Sequence, residues 1–235
     1  MTSGDLLTYY DDRTGERFGL TPGELGAWTA ATSALLTEGC GLGPGDTAAV
    51  LLPPHWQTAA VLLGAWSAGM RLSIRGWATA GLTPAGDPLD VTFVERRRVG
   101  NWLDEVPDGR HQFVLGLAPH GEATGDVPPG YRDYTSSLRP YLGVHPPRHE
   151  FQEHLPAVAD GTTYREYAQT AAAVAERNGI RSGDRVLIDT AEQEQPLIWL
   201  LGPLSVGASI VLCAHLDASL LDDRIAREGI TQVLR

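Results

Sequence analysis

The chain of 235 residues contains no lysine: all 18 of its basic residues are arginine. Within this chain that absence excludes Schiff-base chemistry, a Walker-type phosphate lysine and a lysine aimed at an acyl phosphate. Cysteine is scarce. Cys40 and Cys213 stand alone, neither in a Cys-x-x-Cys pair, which points to free thiols in a reducing compartment. Positive charge is scarce too. A formal net charge of −11 argues against gripping a phosphate backbone, so no nucleic-acid partner is expected. The single basic run, Arg96-Arg97-Arg98, is flanked by Glu95, Asp104 and Glu105 and reads as a solvated helix start. Long apolar runs are missing. The stretch Ala59 to Met70 is interrupted by glycine and serine and is too short to span a bilayer, so no membrane partner is expected. The opening text "MTSGDLLTYYDDRTGER" places acids where a signal peptide needs an apolar core, and the expected location is cytoplasmic.

Motifs of covalent catalysis are also missing. There is no nucleophile elbow and no Ser-His-Asp text. His145, His149 and His154 are close in sequence, but Pro146-Pro147 prevents the helix that would put them on one face. No metal, no cofactor and no catalytic residue is expected.

What is present is a globular pattern, with 43% hydrophobic residues and length for one large domain or two small ones. Thr21-Pro22-Gly23-Glu24 has the capping-box arrangement of a helix start. Leu25, Trp28, Thr32, Leu35 and Leu36 then share one helical face. Thr47 to Leu52 is a continuous apolar run, as a strand buried on both faces requires. A helix over 55–68 and a strand over 70–74 follow. From Gly161 the order recurs: a helix whose buried face carries Tyr164, Tyr167, Ala171, Val174 and Ala175, a strand over 185–188, a helix over 194–206, a strand over 208–213, a helix from Asp217 to Glu228, and a short strand over 230–234.

The recurrence extends to identity. At a constant offset of 138 residues, Gly41, Gly45, Asp46, Gln57, Leu62, Leu63, Gly64, Ser67 and Gly69 match Gly179, Gly183, Asp184, Gln195, Leu200, Leu201, Gly202, Ser205 and Gly207. This reads as an internal repeat of an αβαβ unit, with a mostly parallel sheet in each copy. The expected fold class is therefore α/β, with two pseudo-repeated subdomains. The expected domains are 1–118, a Pro/Gly-rich connector over 119–160, and a second subdomain over 161–235. Within the middle, 91–94 and 112–115 read as strands and 99–105 as a short helix.

The segments "GLGPGDTAAVLLPPHWQTAAVLLGAWSAG" and "GIRSGDRVLI…LLGPLSVGASIVLCAHLDASLLDDRIAREGITQVL" resemble two conserved segments of the adenylate-forming enzymes, the acyl-CoA synthetase superfamily. More narrowly, the chain resembles a short actinobacterial family of uncharacterised proteins related to them. The resemblance implies part of their N-terminal domain, and an acyl or nucleotide ligand. It also exposes departures. The superfamily carries, between these segments, a Ser/Thr/Gly-rich phosphate loop ending in Pro-Lys-Gly. The nearest text here is Tyr134-Thr135-Ser136-Ser137, with no lysine and no following glycine, and it makes Ser136 the phosphate candidate. The superfamily's Pro-x-x-His turn is replaced by "DTAEQEQPL" over 189–197. The adenine, ribose and metal residues of the family, which follow later in its sequence, have no counterpart before Arg235, so a truncated relative is expected.

His55 and Trp56 follow Pro53-Pro54 at the carboxyl end of a strand and open a helix, where ligands approach α/β sheets. They are the other ligand candidates. Asp46 and Asp184 recur after a Gly-x-x-Gly turn and are expected to tie its backbone rather than to catalyse. The expected role is a non-catalytic homologue that binds a small-molecule ligand or a partner. The alternatives are a homodimeric scaffold, or an acyl-adenylating subunit completed in trans with Arg75, Arg132 or Arg139 holding phosphate.

Overall fold

Continuous apolar runs become the inner strands of two five-stranded sheets in the computed structural model, which describes residues 4–75, 89–101, 106–144 and 152–235. The first sheet is parallel throughout, in the order β4-β3-β5-β6-β7. Its strands are β3 (Thr47–Leu51), β4 (Arg71–Ile74), β5 (Leu89–Glu95), β6 (Gly109–Leu115) and β7 (Arg132–Asp133). The second sheet runs β10-β8-β9-β1-β2. It comprises β1 (Leu7–Asp11), β2 (Glu16–Leu20), β8 (Arg185–Asp189), β9 (Ser209–Ala214) and β10 (Gln232–Leu234). All its pairings are parallel except the β1–β2 hairpin. The expected α/β class with mostly parallel sheets is thus present. Burial of β3 and β8 along nearly their whole length explains why their central residues, Ala48 to Leu51 and Val186 to Ile188, are apolar without alternation.

The helices are α1 (Pro22–Ala34), α2 (Trp56–Ser67), α3 (Tyr134–Leu138), α4 (Tyr164–Arg177), α5 (Gly202–Ser205) and α6 (Leu221–Glu228). The capping box ahead of α1 forms as its text predicts: Glu24 N donates to Thr21 Oγ1 at 3.2 Å, and Thr21 N donates to Glu24 Oε2 at 2.8 Å. The helix predicted over 194–206 is broken up. Leu197–Leu201 forms a π-helical turn and only Gly202–Ser205 is α-helical. Pro196 and Pro203 explain this, since neither can donate to a helical carbonyl. No helix among the described residues is long and apolar enough to cross a membrane.

The chain divides into two compact units that do not follow the boundaries expected at 118 and 160. One comprises residues up to Leu25, Pro54–Trp56 and Glu166–Arg235; the other comprises Gly26–Pro53 and Gln57–Arg165. Two observations account for the difference. The N-terminal hairpin belongs to the second sheet, with β1 paired in parallel to β9 from Leu7↔Ile210 to Asp11↔Ala214. The expected connector contributes β7 and α3 to the other unit, where Phe113 pairs with Arg132 and Val114 with Asp133. The three arginines at 96–98 are also not uniformly solvated. Arg98 is 0% exposed and donates from Nη1 to the Arg75 carbonyl oxygen at 3.0 Å.

In the unit that holds the second sheet, α6 packs on the sheet through Tyr10, Leu187, Val211, Cys213 and Leu221. A buried ion pair ties the last residue of α6 to the first of β8: Arg185 Nη2 donates to Glu228 Oε2 at 2.6 Å, and Tyr10 Oη donates to Glu228 Oε1 at 2.6 Å. Burial opposes ionisation of Glu228, but the bonds from Tyr10, Arg185 and Arg17 outweigh it and hold the carboxyl below its ordinary range.

The two Gly-Asp turns match bond for bond. Gly43 N donates to Asp46 Oδ2 at 2.8 Å, and Arg181 N donates to Asp184 Oδ2 at 2.6 Å. Arg71 N donates to the Asp46 carbonyl and Ser209 N to the Asp184 carbonyl, both at 2.8 Å. Gly41 and Gly179 adopt φ of 67° and 69° respectively. A second glycine pair marks close helix contacts. At Gly64 a Cβ would lie 2.5 Å from Thr32 Cβ; at Gly202 it would lie 2.7 Å from the Leu197 carbonyl oxygen and 3.3 Å from Val174 Cγ1. Thr32 cannot yield easily, because its hydroxyl bonds the Trp28 carbonyl at 2.8 Å and Tyr134 Oη at 2.6 Å. Gly64→Ala is therefore expected to cost about 1–3 kcal/mol, read as a lower urea midpoint with unchanged slope; a midpoint equal to wild type would show that the contact has slack.

Candidate functional site

Ser136 lies in the first turn of α3, and its surroundings decide what it can bind. Asp133 caps this five-residue helix and takes the Ser136 N–H on Oδ1 at 2.6 Å. The second Asp133 oxygen accepts from Thr124 N at 2.9 Å. The Ser136 N–H is thus engaged by an internal carboxylate, which competes with an anion for it.

A second segment has the composition of an anion loop and escaped the sequence reading. The strand-like piece that ends at Ala159 runs beside β4, with Leu72 N donating to the Ala157 carbonyl at 3.0 Å and Ala159 N to the Leu72 carbonyl at 2.9 Å. Asp160-Gly161-Thr162-Thr163 then leads into α4, with Gly161 at φ 93°. The loop is again closed by its own acid: Thr162 N donates to Asp160 Oδ1 at 2.9 Å, and the bonds from Thr162 hold the Asp160 carboxyl below its ordinary range. The turn after β8 repeats the device, with Ala191 N donating to Asp189 Oδ1 at 3.0 Å. The signal was readable in each case as an aspartate two or three residues before the amide it binds.

His55 and Trp56 are interior residues, 1% and 0% exposed. The hairpin supplies their cover. Tyr9 meets His55 edge-on at 4.4 Å between ring centroids, and Phe18 lies 5.0 Å from Trp56. Burial pushes the His55 imidazole down to about 3, so it is neutral. The two rings and Ser136 fall in different compact units. Of the arginines considered for phosphate, Arg132 stacks on Phe113 at 4.5 Å and donates from Nη2 toward His111 Nδ1 at 3.0 Å. Arg139 is exposed in the 3₁₀ turn after α3. Arg75 donates from Nε to Ser73 Oγ at 3.5 Å.

Both cysteines are free thiols. Burial raises Cys213 to about 11, against the opposing pull of Arg224. Burial also raises Cys40, despite Arg132 nearby. Among the described residues, no group of three or more His, Cys, Asp or Glu is placed to hold a metal ion. His145 and His149 lie outside the described residues.

Over 238 aligned residues the chain is 35% identical to a TIGR03089 family protein of Mycobacterium tuberculosis (strain ATCC 25618 / H37Rv), covering 98% of this chain and 91% of that protein. The chain belongs to the TIGR03089 family. No protein-family model matches it. Among solved structures this TIGR03089 member resembles acetoacetyl-CoA synthetase from Streptomyces lividans, with a TM-score of 0.72 and 21% identity over 98% of this chain and 40% of that one. It also resembles an acyl-CoA synthetase of Brucella canis, with a TM-score of 0.70 and 21% identity over 97% and 44%. A Mycobacterium tuberculosis fatty acyl CoA synthetase gives 0.66 and 16% over 96% and 45%. The chain thus spans less than half the length of these synthetases. At such identities the likeness establishes the fold, and the expected resemblance to the acyl-CoA synthetase superfamily holds at that level.

The neutral His55 makes a checkable contribution to stability. In the unfolded chain it protonates near 6.5, whereas in the folded chain it resists protonation down to about 3. The folded state therefore binds fewer protons as pH falls below 6.5, and stability is lost across that window. Between pH 7 and pH 5 the wild type is expected to lose about 2 kcal/mol more unfolding free energy than His55→Gln, measured by urea titration. Parallel losses in the two proteins would mean that His55 is solvated.

Proposed function

We propose that this family member is a catalytically silent relative of the adenylate-forming enzymes that works by binding a small molecule. One observation carries the reading: at three turns of the chain, the one at the phosphate candidate Ser136 among them, the main-chain N–H is bound by the chain's own aspartate. These are Asp133 at Ser136, Asp160 at Thr162 and Asp189 at Ala191. Adenylation stabilises phosphate charge with preorganised donors, so donors already committed to a carboxylate are lost to it. The lack of any lysine in the chain removes the usual charge partner as well. His55 and Trp56 act in this reading as the packed floor under the hairpin rather than as ligand contacts.

We also read the Gly-Asp turns as copies of one duplicated αβαβ unit. Their matched hydrogen bonds and left-handed glycines support this, as do the Gly64 and Gly202 contacts.

The test is turnover. The purified chain, given ATP, magnesium and a panel of short-, medium- and long-chain carboxylic acids, is expected to release pyrophosphate at the rate of a protein-free blank. Release that scales with protein concentration and needs the acid would overturn the reading.

A further inference from the structure

We propose that Glu95 and Arg97 form a binding site for a zwitterionic small molecule of the α-amino-acid class, with Glu95 taking the ammonium group and Arg97 the carboxylate. The proposal rests on the reading that this protein binds a small molecule, and adds where and of what kind.

The place follows from topology. In the first sheet β3 is followed through α2 by β4 on one side, whereas β5 is followed by β6 on the other. β3 and β5 are neighbours, paired from Ala48↔Val91 to Leu51↔Val94. Their outgoing chains diverge, so their carboxyl ends form a topological switch point, the crevice where ligands bind open α/β sheets. Glu95 is the last residue of β5.

Its side chain is 3% exposed. Arg97 Nε donates to Oε1, while Oε2 is buried and accepts no hydrogen bond among the described residues. Folded proteins usually give a buried acceptor a partner from the chain, a water or a ligand. An N–H donor brought by a ligand would complete it.

Arg97 offers the complementary half. Its side chain is 63% exposed, and only Nε is committed, to Glu95. The terminal nitrogens keep their fork for a carboxylate, which arginine takes in two parallel bonds. One ion pair therefore sets a buried, unsatisfied acceptor beside an exposed guanidinium fork. A molecule carrying an ammonium and a carboxylate on one carbon matches both ends; a plain amine matches only Glu95 and a plain acid only Arg97. Arg98 stays out of the site, since it is buried and anchored on the Arg75 carbonyl. Leu117, two residues beyond the end of the neighbouring β6, is held at φ 54°, a strained conformation of the kind that gathers at ligand sites.

Isothermal titration calorimetry of the full chain tests this, using glycine and free L-amino acids with apolar, acidic and basic side chains. Their N-acetyl derivatives and the corresponding amines without carboxylate serve as controls. At least one free amino acid is expected to bind saturably, with both controls weaker by roughly tenfold, about 1.4 kcal/mol. Glu95→Gln keeps the shape and the acceptor toward Arg97 but turns Oε2 into a donor, and is expected to lose at least roughly tenfold in affinity. Arg97→Ala, on an exposed side chain, is expected to weaken the free amino acid but not the amine. Circular dichroism melting checks that each variant folds. Absence of saturable binding by every amino acid overturns the proposal, as does equal affinity in folded Glu95→Gln. Should Glu95→Gln not fold, the Arg97→Ala result decides alone: unchanged affinity for the amino acid overturns the proposal. Pyrophosphate release is scored separately, so amino-acid binding with turnover would end the claim of silence and leave this site standing.

Discussion

Asp46 and Asp184 each accept a hydrogen bond from a main-chain N–H three residues back, and both sheets depend on the turns this closes. The side chain fixes the turn; the aspartate's own carbonyl then receives Arg71 N or Ser209 N and sets the register of the next strand. At Asp184 the second oxygen also accepts from Thr231 Oγ1 at 2.7 Å, and this bond, with that from Arg181 N, keeps the carboxyl ionised below its ordinary range. A short acid that satisfies nearby amides is inexpensive in sequence, needing one residue at the right spacing. The chain uses it again at Asp133, Asp160 and Asp189.

In our proposal the same device that shapes the fold occupies the Ser136 amide that a phosphate would need. A helix start or a Gly-Thr loop is an anion site only while its amides are unclaimed. Once a carboxylate of the chain claims them, the segment gains rigidity and loses affinity for phosphate. The fold also rests on sheet burial and on contacts such as Glu228 against Arg185, which do not involve those turns. The contrast lies at Glu95. There the carboxylate is deep at a strand end and one oxygen has no donor among the described residues, the place our proposal gives to a ligand.

Legibility in the sequence followed the range of the interaction. Thr21-Pro22-Gly23-Glu24, the strands β3 and β8 and the two Gly-Asp turns could be read because each is encoded within a few residues. The pairing of β1 with β9 could not, since two hundred residues separate them and neither strand's own pattern names its partner. The helix over 194–206 was overread because its apolar spacing was weighed without Pro196 and Pro203. For the site, Ser136 was the nearest match to a phosphate loop by composition, but the cap from Asp133 was overlooked although its spacing is that of an ordinary helix N-cap. Glu95 gave only a faint signal, an acid closing an apolar strand, and its buried state depends on packing that the local text does not specify.

The central claim is that the amides of the would-be phosphate positions are already taken. It is tested most directly by following the Ser136 and Thr162 amide resonances in ¹H–¹⁵N correlation spectra while ATP and magnesium are added. The account predicts that both resonances stay in place through millimolar nucleotide. A saturable shift of either, with loss of the Asp133 or Asp160 interaction, would contradict it.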